Sequence, residues 1–148
     1  MGRIGFSRVA TIAMITLLWA GDQEVNSQVW KHLAPEVVRA AACVDVKNNE
    51  PFNSFKDLRV DQCPGREQIC RFIEFENVGG SHTVILKAYL NGRFHGQKKE
   101  SFNDTTPHNG YRVWFCDKRE CGDWREVIFL DNKQMRKDIH YRIMLSID

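Results

Sequence analysis

The chain has 148 residues, 43% hydrophobic and 27% charged, with 21 Lys+Arg against 19 Asp+Glu. That length makes one domain, large enough to bury a core. Near-balanced charge gives no general drive toward nucleic acid or an anionic membrane, so no nucleic-acid partner is expected.

Residues 1–20 carry Arg3 and Arg8, no acid, and an apolar run from Val9 to Ala20. The run is about twelve residues, short of the roughly twenty that a spanning helix needs. A basic start, a short apolar stretch and the small Ala20 before polar Gly21-Asp-Gln-Glu24 read as a secretory signal peptide. Its removal leaves 19 residues of each sign and nothing expected to stay inserted in a membrane. The expected location is therefore secreted, extracellular. There, disulfides are the default state of the five cysteines, which fall as two close pairs, Cys63/Cys70 and Cys116/Cys121, with Cys43 apart and without an obvious partner.

Residues 21–42 form an N-terminal extension. Gln28 to Ala42 is the best helix candidate, but Pro35 divides it, because proline lacks a donor and clashes with the preceding turn. A short helix is predicted from about Pro35, with residues 28–34 extended. From Cys43 onward the pattern becomes short alternating runs. Phe72, Ile73 and Phe75 punctuate Arg71 to Glu76, and Gly79-Gly80 closes that segment. His82 to Leu90 is the cleanest strand, with Val84, Leu86, Ala88 and Leu90 on one face. Asn91-Gly92 supplies the positive backbone angles of a tight hairpin.

Arg93 to Gly110 holds few apolar residues and reads as a long exposed connection; Asn103-Asp-Thr105 within it is an N-glycosylation sequon, with Asn103 as the acceptor. Tyr111, Val113 and Phe115 then alternate with Arg112 and Trp114, Glu126 to Leu130 is a short apolar run, and Tyr141, Ile143, Leu145 and Ile147 alternate to the end. Lys133 to Lys137 reads as solvated surface. Several short strands separated by turn signals predict an all-β domain over residues 43–148, a sandwich or barrel.

No catalytic constellation stands out, and the chain is read as a non-enzyme without a cofactor. His32, His82, His95, His108 and His140 are scattered, with no pair spaced for a metal. A four-thiolate zinc site would need shorter gaps than the two cysteine pairs offer, so no metal is expected. Binding remains. The many aromatic residues either fill the core or line an apolar cavity between sheets. In a cavity, each buried methylene of an acyl chain or sterol would contribute roughly 0.8 kcal/mol. Periodicity does not separate the two.

The segments Leu58-Arg-Val-Asp-Gln-Cys63-Pro-Gly-Arg-Glu-Gln-Ile-Cys70, His82 to Gly92, Cys116-Asp-Lys-Arg-Glu-Cys121 and Asp138 to Leu145 together resemble the ML lipid-recognition domains, the family of the Niemann-Pick type C sterol-transfer protein and the group 2 mite allergens. The resemblance covers about residues 43–148. It implies an immunoglobulin-like two-sheet β-sandwich holding a lipid or sterol between its sheets, with Cys63–Cys70 and Cys116–Cys121 as disulfides. The chain departs from the family in ending at Asp148, which leaves Cys43 without the family's partner, and in the long polar stretch between Gly92 and Tyr111. An unpaired Cys43 admits a dimer through that thiol.

The leading expectation is thus a secreted lipid- or sterol-binding protein whose ligand touches Phe72, Phe75, Val84, Leu86, Val113, Phe115, Phe129, Tyr141 and Ile143. The alternative is a secreted, disulfide-stapled protein-interaction module with a filled core. Its working surface would be the Arg93–Gly110 stretch and an exposed Trp124. A lipocalin-like barrel stands well behind, since Gln28 occupies the place of the glycine that such barrels carry before their first Trp.

Overall fold

The computed structural model describes residues 33–104 and 110–147, and the signal peptide read at residues 1–20 lies outside them. From Pro35 onward the described residues belong to the compact unit Pro35–Asp148. Its elements are β1 (Glu36–Lys47), β2 (Glu50–Phe55), β3 (Asp57–Val60), β4 (Ile69–Glu76), β5 (Gly80–Leu90), β6 (Arg93–Asp104), β7 (Tyr111–Asp117), β8 (Gly122–Leu130) and β9 (Lys133–Leu145). They form a four-stranded sheet in the order β2-β1-β4-β7 and a five-stranded sheet in the order β3-β9-β8-β5-β6. All pairings are antiparallel except β3 with β9. The chain crosses between the sheets at β2–β3, β3–β4, β4–β5, β6–β7 and β7–β8, which gives an immunoglobulin-like β-sandwich. Among the described residues no helix is long and apolar enough to cross a membrane.

Three of the hairpins turn on two-residue loops in which both residues have positive φ: Asn48-Asn49, Asn91-Gly92 and Asp131-Asn132. Such a turn matches the right-handed twist of the strands it joins, and Asn, Asp and Gly reach positive φ at least cost. Asn91-Gly92 is the hairpin expected from sequence. Gly122, at the start of β8, has φ +141, and a Cβ there would stand 2.6 Å from Leu90 Cδ1. That close approach lets Asn91 accept from the Asp123 N–H through its side chain and donate its own N–H to the Asp123 carbonyl.

Several sequence expectations are corrected. The predicted short helix near Pro35 is strand: Glu36–Lys47 is β1, so the sandwich begins upstream of Cys43. Val37 and Ala42 both reach the core although strict alternation would put them on opposite faces, because the β1–β4 register shifts between Val37 and Arg39. The extra residue breaks the period-two signal. The exposed connection of residues 93–110 is mostly β6, a strand paired along its length with β5. Its side chains are almost all exposed because it is an edge strand, and polar composition there protects against unwanted pairing rather than marking a loop. Lys133 to Lys137 opens β9 with its side chains mostly exposed, in keeping with the solvated surface expected there.

The disulfides join Cys63 to Cys121 and Cys70 to Cys116, not the sequence-adjacent cysteines. Cys70 and Cys116 are direct cross-strand partners in β4 and β7, with Cα atoms 4.1 Å apart. Cys63 precedes β4 and Cys121 precedes β8, so their bond ties the two sheets together at one end. The separations of 58 and 46 residues correspond to roughly 4 kcal/mol each of unfolded-state restriction, against roughly 2 for the short loops.

Candidate binding cleft at the disulfide-tied end

Strand parity places Ile69, Arg71, Ile73 and Phe75 on the inner face of β4, and Trp124, Glu126, Ile128 and Leu130 on the inner face of β8. One charge of each sign therefore enters the sandwich from opposite sheets. Arg71 and Glu126 are both fully buried. Arg71 Nε lies 3.1 and 3.2 Å from the two Glu126 carboxylate oxygens. The far end of the guanidinium donates to both Asp117 oxygens at 2.9 and 3.0 Å and to the Ile69 carbonyl. Tyr141 Oη donates to Glu126 Oε1 at 2.6 Å. Burial alone would lower the Arg71 pKa, but Glu126 and Asp117 outweigh it and the group stays charged. Burial, reinforced by the Glu126 charge, pushes the Tyr141 hydroxyl far above its ordinary range. A buried pair of this kind is tolerated because almost every polar atom has a partner.

Arg119 completes the cluster from the β7–β8 connection. It reaches Glu126 at 3.1 Å, and its guanidinium carbon sits 4.4 Å from the Trp124 ring centroid. Its Nε is 2.9 Å from Asp117 Oδ1 but out of line for a hydrogen bond, and among the described residues it is a buried side-chain nitrogen left without an acceptor. Lys98 approaches the same Asp117 at 3.7 Å. Arg71, Arg119 and Lys98 thus share two carboxylates, Asp117 and Glu126.

Arg119 also lines a cleft of about 350 Å3 at this end of the sandwich. Its apolar floor is Leu58, Val60, Ile69 and Ile143, and its rim carries Arg59, Arg66, Asp61 and Glu67. The rim comes from β3 and the segment after it, which Cys63–Cys121 anchors. Counting Arg119 once, the cleft and the cluster behind it hold Arg59, Arg66, Arg119, Arg71 and Lys98 against Asp61, Glu67, Asp117 and Glu126, a surplus of one positive charge. An apolar floor beside convergent guanidiniums suits an amphipathic carboxylate.

The nine residues expected to touch a lipid divide differently. Phe75, Val84, Leu86, Val113, Phe115, Tyr141 and Ile143 pack in one core cluster. Ile143 also contributes to the cleft floor. Phe72 faces away from the core, on the outer side of the four-stranded sheet with Cys43 and Cys70, beneath the Arg39 guanidinium. Phe129 lies on the outer side of the other sheet, half-buried under Lys87. Trp124 is not an exposed contact residue: it is 2% exposed, stacked between His95 and Tyr141, with its indole N–H donating to the Glu120 carbonyl. Asn103 is exposed near the end of β6. The Glu74 carboxylate does not simply face water; Glu50 and Glu74 are each bridged by both Arg39 and Arg112 across the outer face.

Sequence reading passed over Arg71, Asp117, Arg119 and Glu126. Two of them had a signal. Arg71 shares a parity with Ile73 and Phe75, and Glu126 shares one with Ile128 and Leu130, so opposite charges on two apolar faces marked a buried pair. Asp117 continues the parity of Val113 and Phe115 only as the last residue of β7, and Arg119 carries no periodic signal because it lies in the connection that follows. Among the described residues no group of three or more His, Cys, Asp or Glu is placed to hold a metal.

No protein-family model matches the chain, and no curated protein matches it. Among solved structures it is similar to a solution NMR structure of the CARDB domain of a Pyrococcus furiosus protein, at 11% identity and TM-score 0.41, covering 77% of this chain and 97% of that one. A crystal structure of that domain in complex with di-metal ions gives 10% identity and TM-score 0.43, with 78% and 94% covered.

Proposed function

We propose that this domain is a secreted, disulfide-stapled interaction module that engages acidic groups of a partner protein at the three-arginine cleft. The observation that carries the reading is Arg119, held almost buried at the cleft wall with a cation surplus around it. A partner carboxylate at the cleft would pair with the exposed rim arginines Arg59 and Arg66 and balance the surplus charge, and charge-assisted pairs to arginine are the stronger class of hydrogen bond. The two disulfides suit an oxidising, extracellular setting. Packing of Phe75, Val84, Leu86, Val113, Phe115 and Tyr141 against one another favours a filled core over an internal ligand chamber.

The direct assay is fluorescence anisotropy of a labelled tetraglutamate peptide with the oxidised protein. Binding that weakens with salt is expected, and Arg59→Glu with Arg66→Glu should reduce it at least tenfold with the fold unchanged. Equal affinity in parent and variant removes the cleft from the function. The lipid-carrier reading draws on the ML resemblance and on the sandwich architecture that resemblance implies. Native mass spectrometry of the non-reduced protein separates the two: a retained apolar molecule favours the carrier, and the polypeptide mass with any glycan favours the module.

A further inference from the structure

Cys43, Cys70 and Cys116 occupy one row across three adjacent strands. Cys43 is the cross-strand partner of Cys70 in the β1–β4 register, and Cys70 is the cross-strand partner of Cys116 in the β4–β7 register. Cross-strand partners point to the same face, so all three sulfurs lie on the outer side of the sheet. A residue in a central antiparallel strand alternates between a close, non-hydrogen-bonded neighbour and a wider, hydrogen-bonded one. Cys70 and Cys116, at 4.1 Å, are the close pair. Cys43 and Cys70 are then the wide pair, at about 5.5 Å between Cα atoms, which falls inside the range that a disulfide spans. Consistent with this, the Cys43 thiol donates to the Cys70 carbonyl, 3.5 Å away.

We propose that Cys43 exchanges into the Cys70–Cys116 disulfide, relocating the free thiol from a buried site to the exposed edge strand β7. The Cys43 thiol loses its proton to solvent and its thiolate attacks Cys70 Sγ. A Cys43–Cys70 bond forms, the Cys70–Cys116 bond breaks, and Cys116 leaves as a thiolate that takes up a proton. One disulfide and one thiol exist before and after, so no oxidant or reductant is needed. Displacement at sulfur requires attacker and leaving group on opposite sides of Cys70 Sγ, and the register sets Cys43 and Cys116 on the two strands flanking Cys70.

The consequence is a change in what the surface offers. Cys43 is fully buried and Cys70 nearly so, whereas Cys116 is exposed on a strand whose outer edge is unpaired among the described residues. Before exchange the thiol is shielded from a second chain; afterwards it is placed to form a mixed disulfide. Burial pushes the Cys43 thiol up, outweighing the hydrogen bonds it makes, so exchange is slow near neutrality and accelerates as pH rises.

The test is to incubate the oxidised protein with N-ethylmaleimide at pH 7 and at pH 9, quench with acid, and map the peptides without reduction. Label on Cys116 is expected to grow together with a Cys43–Cys70-linked peptide. Its rate should rise about tenfold per pH unit while the thiol remains mostly protonated. Cys43→Ser should take up no label and keep Cys70–Cys116. Label confined to Cys43, with Cys70–Cys116 intact, overturns the proposal. A second variant checks the geometry alone: Cys116→Ser, treated with oxidised glutathione, should form Cys43–Cys70 within a folded domain. Two free thiols there overturn it as well.

Discussion

Replacing Glu126 with Ala tests whether the charged bridge through the core has been assigned correctly. In the parent, Glu126 accepts from Arg71 Nε and the Tyr141 hydroxyl and forms an ion pair with Arg119. Its loss leaves two guanidiniums, one fully buried, on the single carboxylate of Asp117, and strips the Tyr141 hydroxyl of its acceptor. An uncompensated buried charge costs about 3–5 kcal/mol. With a urea m-value of about 1–3 kcal/mol/M for a domain of this size, the unfolding midpoint should fall by roughly 2 M. Glu126→Gln should cost less, since the amide keeps the shape and an acceptor for Tyr141. Changing Arg71 to Met together with Glu126 to Leu should recover much of the loss, with a coupling of more than about 1 kcal/mol in the double-mutant cycle. A Glu126→Ala midpoint within about 0.5 M of the parent at unchanged m-value would refute the argument.

Alkaline unfolding reports on Tyr141 together with Tyr111 and Cys43, whose pKa values burial also raises. The folded-state pKa of Tyr141 is raised, so its contribution is full below the unfolded value near 10 and is lost as pH rises beyond it. Stability should fall by about 1.4 kcal/mol per pH unit from this group, and Tyr141→Phe should make the slope shallower by that share in urea titrations between pH 10 and 11.5, the Tyr111 and Cys43 shares remaining. Gly122→Ala should lower the thermal midpoint, because a Cβ would press on Leu90 and Asn91 at a φ that alanine resists; an unchanged midpoint would mean the turn yields freely. Replacing Cys63 and Cys121 by Ser should cost about 4 kcal/mol while leaving Cys70–Cys116 intact. Non-reducing peptide maps of the parent that instead join Cys63 to Cys70 would restore the pairing expected from sequence.

The fold class was legible because inner and outer faces alternate cleanly in the central strands. Val84, Leu86 and Ala88 of β5, Val113 and Phe115 of β7, and Tyr141 and Ile143 of β9 carry the period-two signal of strands with one buried face, and all seven lie in the core. The edges were not legible. Strand β6 has little to bury, and β1 carries a bulge and an alanine-rich stretch that fits either period. Phe72 and Phe75 are three residues apart in β4, so only one can face inward, and Phe129 is opposite in parity to Ile128 and Leu130; parity leaves open only which face of each strand the second sheet covers.

By itself the sequence determined the all-β class, the Asn91-Gly92 hairpin and the presence of bondable cysteines, since those depend on local backbone preference and on composition. Only the tertiary structure decided the rest: that Cys63 meets Cys121 and Cys70 meets Cys116, that Arg71 meets Glu126 across the interior, and that Arg119 closes a cleft. Each of these joins residues far apart in the chain, and which distant residues meet is set by the order of strands in the two sheets, which no local pattern encodes.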